Sequence, residues 1–232
     1  MIRIRKAEDR GQYDHGWLKT AHTFSFADYH DPENHHFRNL RVINEDRVAG
    51  GAGFPMHPHR DMEIITYVLE GQLEHRDSLG NRGLISPGIV QRMSAGTGIV
   101  HSEFNASELV PVHLYQIWIL PNAKGVTPGY EERALPGADE TGRFVLVASP
   151  EGREGSVKIH ADANLYSAAL EPGQKLEHDF TPGRHGWLQV MRGAASLSGQ
   201  ALKAGDGAAI SDVGRIELAS DTGSELLLFD LA

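Results

Sequence analysis

Ile64-Ile65-Thr66-Tyr67-Val68-Leu69-Glu70-Gly71 is a short β-branched and aromatic run that stops at a glycine turn. The same unit recurs along almost the whole chain. Leu84-Ile85-Ser86 runs into Pro87-Gly88, Leu114-Tyr115-Gln116-Ile117-Trp118-Ile119-Leu120 runs into Pro121, and Glu225-Leu226-Leu227-Leu228-Phe229-Asp230 lies near the end. Strand-length runs at roughly 8–12-residue spacing argue for a sandwich or a barrel. Glycine supplies 26 of 232 residues, above the ~7% of an ordinary protein, which suits many tight turns. Helical periodicity is not sustained anywhere, and the chain reads as all-β.

The texture changes after the first half. Residues 126–142 hold Pro128, Gly129, Pro136, Gly137 and Gly142 among polar residues, and read as a linker between residues 1–125 and 143–232. The flanking halves are faintly alike. Val68-Leu69-Glu70-Gly71 resembles Val190-Met191-Arg192-Gly193, Gly88 resembles Gly205, and Gly51 resembles Gly173. Two copies of one small β-barrel account for these matches together.

Composition narrows the function. Lys plus Arg total 22 against 31 Asp plus Glu, a formal net charge of −9, so direct binding to nucleic-acid phosphates is not expected. The chain has no cysteine, which removes disulfides, iron–sulfur clusters and thiolate metal sites. Any metal must be held by nitrogen and oxygen. The charged start, Met1-Ile2-Arg3-Ile4-Arg5-Lys6, lacks the apolar core of a signal peptide, and no run reaches the ~18 apolar residues of a membrane span. A cytoplasmic, membrane-free protein is expected. Around the serines there is no G-x-S-x-G elbow, and no phosphate-binding glycine loop precedes a Lys-Ser or Lys-Thr pair.

Two short patterns carry chemistry. Residues i and i+2 of a strand project from one face, so His57-Pro58-His59 aims two imidazoles into one space. His101-Ser102-Glu103 aims an imidazole and a carboxylate in the same way. Brought together across a barrel, these donors suit divalent Fe, Mn, Co, Ni, Cu or Zn. Glu63 and Asp61 share the parity of the first pair, so on spacing alone either Glu63 or Glu103 could complete the set, the other orienting a histidine. The other ten of the thirteen histidines, His75 among them, are scattered and read singly as surface or hydrogen-bonded residues.

Gly51-(x)5-His57-x-His59-(x)3-Glu63 followed by Gly71, and Gly98-(x)2-His101-(x)3-Asn105, are similar to the two cupin motifs, with one extra residue before Gly71 and Gly96 where proline is common. More narrowly, His57-Pro58-His59-Arg60-Asp61-Met62-Glu63 and Met93-Ser94-Ala95-Gly96-Thr97-Gly98-Ile99-Val100-His101-Ser102-Glu103 resemble the pirin family, as do His22-Thr23-Phe24-Ser25-Phe26 and the strand from His113 to Pro121. The resemblance implies a bicupin, two tandem jelly-roll-type barrels, with a metal centre only in the first. It places the ligands on His57, His59, His101 and Glu103, with one divalent ion per chain and iron foremost. Bacterial members of the family imply quercetin 2,3-dioxygenase activity on a flavonol-like enol with O2, Glu103 then serving as the catalytic base as well. The vertebrate member, a nuclear co-regulator of transcription, implies the alternative of a redox-responsive protein that binds a protein partner, although no basic patch supports one. A third cupin chemistry, isomerisation or decarboxylation of an anionic substrate, would call for Lys or Arg beside the metal. At the matched positions the second half carries Asp179, Thr181, Leu218 and Ser220, so it is expected to hold no metal, to pack against the first barrel and to close its cavity.

Overall fold

The computed structural model describes residues 1–232, nearly all in strands, turns and bends. The first barrel is two facing sheets. One has four strands in the order Gly53–His59, Ile99–Asn105, Leu73–Asp77 and Arg82–Ile85. The other has seven, in the order Gly129–Ala134, Ile89–Ser94, Glu63–Glu70, Val112–Ile119, Leu40–Val48, Leu18–His22 and Gly11–Asp14. A second barrel follows, built on a ten-stranded sheet whose longest strand, His185–Leu197, pairs with Gly207–Ile210 and Ser224–Leu231 over its first part and with Gln200–Lys203 and Arg215–Ala219 over its last. No helix is long and apolar enough to cross a membrane.

Period-two alternation sorts the side chains of the shared wall. In Glu63–Glu70, Ile65 and Leu69 join the largest apolar cluster of the molecule while Ile64 and Val68 face into the first barrel. That largest cluster lies between the barrels. It takes Phe24, Tyr115 and Ile117 from the first and Val147, Trp187 and Phe229 from the second, with the Phe24 and Trp187 ring centroids 4.9 Å apart. Burial of this seam joins the two units. Arg192 reinforces its edge, donating to the Leu69 carbonyl at 3.2 Å and pairing with Glu70 at 2.5 Å.

The interiors differ. The second barrel is filled with aliphatic residues such as Leu188, Val190, Leu197, Leu218 and Leu228. The first has only two small apolar clusters, one around Leu73 and Ile85 and one around Ile64 and Met93.

Two boundaries depart from the sequence reading. The stretch 126–142, expected to be a linker, contains the strand Gly129–Ala134, which pairs with Ile89–Ser94 from Gly129 opposite Ser94 to Ala134 opposite Ile89. It is the outermost strand of its sheet, and Glu131, Glu132 and Arg133 give it the charged face that blunts an edge. The glycines and prolines that suggested a tether cluster about its two ends. Ile2–Arg5, expected in the 1–125 unit, pairs with Gly207–Ile210 instead, because Ile2 and Ile4 complete the apolar interior of the second barrel.

The matched glycines occupy like backbone positions in the two halves. Gly71 and Gly193 have φ of 76° and 70°, Gly88 and Gly205 have 81° and 86°, and Gly51 and Gly173 have 71° and 85°. Gly193 is the most constrained, since it sits where the long strand passes from one face of the barrel to the other. A Cβ there would lie 2.0 Å from the Gly223 carbonyl oxygen. Gly193→Ala should therefore lower unfolding free energy by about 2 kcal/mol, measured by urea titration.

Candidate metal centre

The order of the four-stranded sheet puts Ile99–Asn105 between the strand carrying His57 and His59 and the strand carrying His75 and Asp77. Registry sets His101 opposite His57 on one side and Asp77 on the other, with Glu103 opposite His75. A bulge in the pairing with Gly53–His59 falls between His101 and Glu103. The ligand atoms of His57, His59 and His101 all come within 4.8 Å of one another, and so do those of His75, His101 and Glu103. Three of the expected ligands thus converge, while Glu103 groups with His101 and His75.

Hydrogen bonds fix which ring nitrogens are free. His57 Nδ1–H donates to the Pro55 carbonyl at 2.8 Å, so Nε2 is the nitrogen left for a metal. His75 Nε2 lies 3.3 Å from Asp77 Oδ2, and His75 Nδ1 lies 3.4 Å from His101 Nδ1. A carboxylate only accepts, so His75 carries its proton on Nε2 and accepts on Nδ1. His101 then donates from Nδ1 and keeps the Nε2 lone pair. That Nε2 is buried without a hydrogen-bond partner. Asp77, at the far end of the chain, is held below the ordinary carboxylate range: burial works against this, but donors from Asn81 and Leu79 and the His75 ring prevail.

Burial and mutual repulsion keep the imidazoles of His59 and His101 neutral. Desolvation, with His101 and His57 nearby, pushes His59 down to about 4. Desolvation, with His57 and His75, pushes His101 down to about 3. At neutral pH both present lone pairs, so no proton has to leave before a cation binds. Three imidazole nitrogens beside a carboxyl group, with no sulfur, fit a divalent transition ion.

Glu103 is held from the facing sheet. Thr66 Oγ1 and Gln91 Nε2 donate to Oε1 at 3.2 and 3.4 Å, and Gln116 Nε2 donates to Oε2 at 2.6 Å. These donors belong to one polar row. Gln91 lies opposite Thr66, Thr66 opposite Gln116, Gln116 opposite Asn44, and Asn44 opposite His22. Neither this row nor His75 was singled out from the sequence. The available sign was a polar residue at core-facing parity inside an apolar strand, as in Ile64-Ile65-Thr66-Tyr67.

Glu63 is not part of the centre. Asp61 turns the chain at φ 49° between Gly53–His59 and Glu63–Glu70, so the parity drawn through an unbroken strand does not carry across. Glu63 is buried on the seam side, where Ser94 Oγ donates to it at 2.8 Å, and burial raises its pKa.

A small cavity of about 100 Å³ opens onto the histidines. Phe26, Phe54, Ile64 and Trp118 form its apolar lining, and His59 meets Trp118 edge-to-face at 4.9 Å. All its lining residues lie between Leu18 and Trp118. The second barrel therefore packs against the first without closing the cavity. Both groups of clustered ligand atoms lie in the first barrel.

Two facing sheets with a histidine cluster in the bore, followed by a second barrel filled with aliphatic side chains, define a bicupin. Residues 3–119 match the family described as Pirin and residues 146–231 the quercetinase C-terminal cupin domain. The chain belongs to the pirin family. It is 49% identical over 231 residues to the quercetin 2,3-dioxygenase of Escherichia coli strain K12, covering 100% of this chain and 99% of that protein. It superposes on the bacterial pirin YhhW of Escherichia coli in complex with nickel(II) with a TM-score of 0.95 at 48% identity, covering 100% and 99% of the two chains. A quercetin 2,3-dioxygenase from Acinetobacter baumannii shares the fold at 20% identity, with a TM-score of 0.78 over 95% of this chain and 83% of that one.

His75→Phe should weaken binding of added nickel(II) by about 10–100-fold in competition with a chelator, because the His101 tautomer loses its partner. A second test concerns Asp46 in the cavity wall, whose carboxyl burial pushes up to about 7, with Glu103 and Glu45 adding to the effect. A raised folded-state pKa gives stability that is present below the unfolded value of 3.8 and is lost as pH rises through about 7. Asp46→Asn escapes that loss. Its melting temperature relative to the wild type, both metal-free, should improve between pH 4 and pH 8 on the order of 3 °C or more.

Proposed function

We propose that the chain is a metal-dependent dioxygenase that uses O2 to open a flavonol-like, quercetin-type enol, with His57, His59, His101 and Glu103 as ligands. The observation that carries this reading is the convergence of the His57, His59 and His101 ring nitrogens, with Glu103 beside them, on a cavity that offers an aromatic and aliphatic surface to a flat ring. The name of the Escherichia coli relative supports the substrate class. A divalent transition ion in these donors, with iron foremost, would supply Lewis acidity toward a substrate hydroxyl and a site for O2.

The protein's own part is to bind, orient and move a proton. Glu103 takes the hydroxyl proton of the enol, and donors from Thr66, Gln91 and Gln116 hold its carboxylate in one orientation for that step. Phe26, Phe54, Ile64 and Trp118 receive the flat ring and exclude water around it. No Lys or Arg lines the cavity. A decarboxylase or isomerase of an anionic substrate would need such a cation, so the lining favours a neutral one.

His101→Ala should lose both bound metal and turnover. Glu103→Gln should keep most of the metal, since an amide oxygen still coordinates, while turnover falls by about 100-fold or more. Metal content of the purified variants and aerobic loss of flavonol absorbance with carbon monoxide release check both. Full activity of Glu103→Gln would assign the proton to water instead. An iron-loaded protein that left every flavonol intact would favour the redox-responsive binding protein.

A further inference from the structure

Outside the metal centre, one further pair of imidazoles meets. His30 and His35, both exposed, lie on the loop between Leu18–His22 and Leu40–Val48, with ring centroids 5.0 Å apart and planes inclined at 57°. Within the centre, the rings of His57, His59 and His101 stand 4.4, 4.8 and 4.9 Å apart at 52°, 81° and 64°. Metal–nitrogen bonds of about 2.0–2.1 Å hold two imidazole centroids about 4.5–5.2 Å apart when the bonds meet at about 90–109°. The outer pair therefore already stands at a chelating separation. Its nitrogens are also uncommitted. His36, next along the chain, has Nδ1 on the Arg38 carbonyl, and His75 meets His101 nitrogen to nitrogen, whereas the rings of His30 and His35 make no hydrogen bond.

We propose that His30 and His35 form a second, solvent-facing site for a divalent transition ion, separate from the centre inside the barrel. The loop that presents them is firmly held. Asp31, directly after His30, accepts from Tyr29 Oη, Asn34 Nδ2 and the Glu33 amide and pairs with Arg5 at 2.9 Å. The Asn34 carbonyl accepts from the Ser25 amide at 2.8 Å, and the His35 carbonyl accepts from Arg41 Nη1 at 3.1 Å. Both backbones are thus fixed, and an ion has only side-chain rotamers left to order, which lowers the cost of binding. Two imidazoles without sulfur suit copper(II), nickel(II) or zinc(II), copper(II) foremost, with water in the remaining positions. Neither residue lines the cavity, so the site stands independently of the dioxygenase reading. The same loop carries Phe26, which lines the cavity and meets Trp118 edge-to-face at 5.3 Å. An ion held between residues 30 and 35 therefore braces one side of the cavity from outside.

Metal counting tests this, on untagged and metal-free protein equilibrated with increasing nickel(II). The wild type should bind two ions per chain, one tightly and one more weakly. His30→Ala and His35→Ala should each weaken the second ion by at least about tenfold, since chelation by two rings becomes attachment by one, and leave the tight ion in place. His36→Ala should retain both ions. Circular dichroism and the retained tight ion show that a variant is folded, and should one of the two fail to fold, the other carries the comparison. A wild type that binds a single ion, or a second ion that is unchanged in the folded variants, would overturn the outer site. Equal weakening in His36→Ala would show dispersed binding by surface histidines and overturn the pair as well.

Discussion

The apolar seam between the two barrels is the contact on which the rest of the molecule depends. A barrel of this size is ordinarily stabilised by its interior. The first barrel instead fills the middle of its bore with Thr66, Gln91, Gln116, Glu103, His75 and His101, all buried. Its apolar side chains are displaced to two small clusters at the ends and to the outer face of the seven-stranded sheet. That outer face is covered by Val147, Trp187, Leu227 and Phe229 of the second barrel. The second unit thus supplies the hydrophobic burial that the first lacks, which gives a physical reason for a barrel without a clustered metal-ligand set to accompany one that has it.

Within the bore, hydrogen bonding replaces apolar packing as the source of order. Several groups around the centre are oriented by a neighbour on their own strand, on the next strand or on the facing sheet. Asp77 orients His75, His75 orients His101, and the facing sheet orients Glu103. Networks of this kind hold their geometry because any rotation leaves a buried group unpaired. The positions are therefore set before a ligand arrives, which is the condition for precise coordination and for proton transfer at a fixed atom. Low dielectric in the same space keeps His59 and His101 unprotonated.

Strand parity succeeded where it was applied within one strand and failed where it crossed a turn. His57 and His59 share a face because Gly53–His59 is unbroken. Glu63 fell outside because Asp61 turns the chain into the opposite sheet. His75 escaped notice because an isolated histidine carries no spacing to read, and its meaning comes from lying one strand away from Glu103. The strand Gly129–Ala134 was hidden by the charged residues that an edge requires.

By itself the sequence determined the all-β class, the doubling of the barrel and the two histidine-bearing patterns. Each of these depends on local periodicity or on a backbone conformation that glycine alone favours, and such features survive without knowledge of neighbours. Tertiary structure alone decided that Ile2–Arg5 joins the second barrel, that Glu63 belongs to the seam, and that Gln91, Thr66, Gln116, Asn44 and His22 form one row. These depend on which strands lie side by side and in what register, and pairing between distant segments is fixed by the burial of the whole sheet rather than by any one stretch of chain.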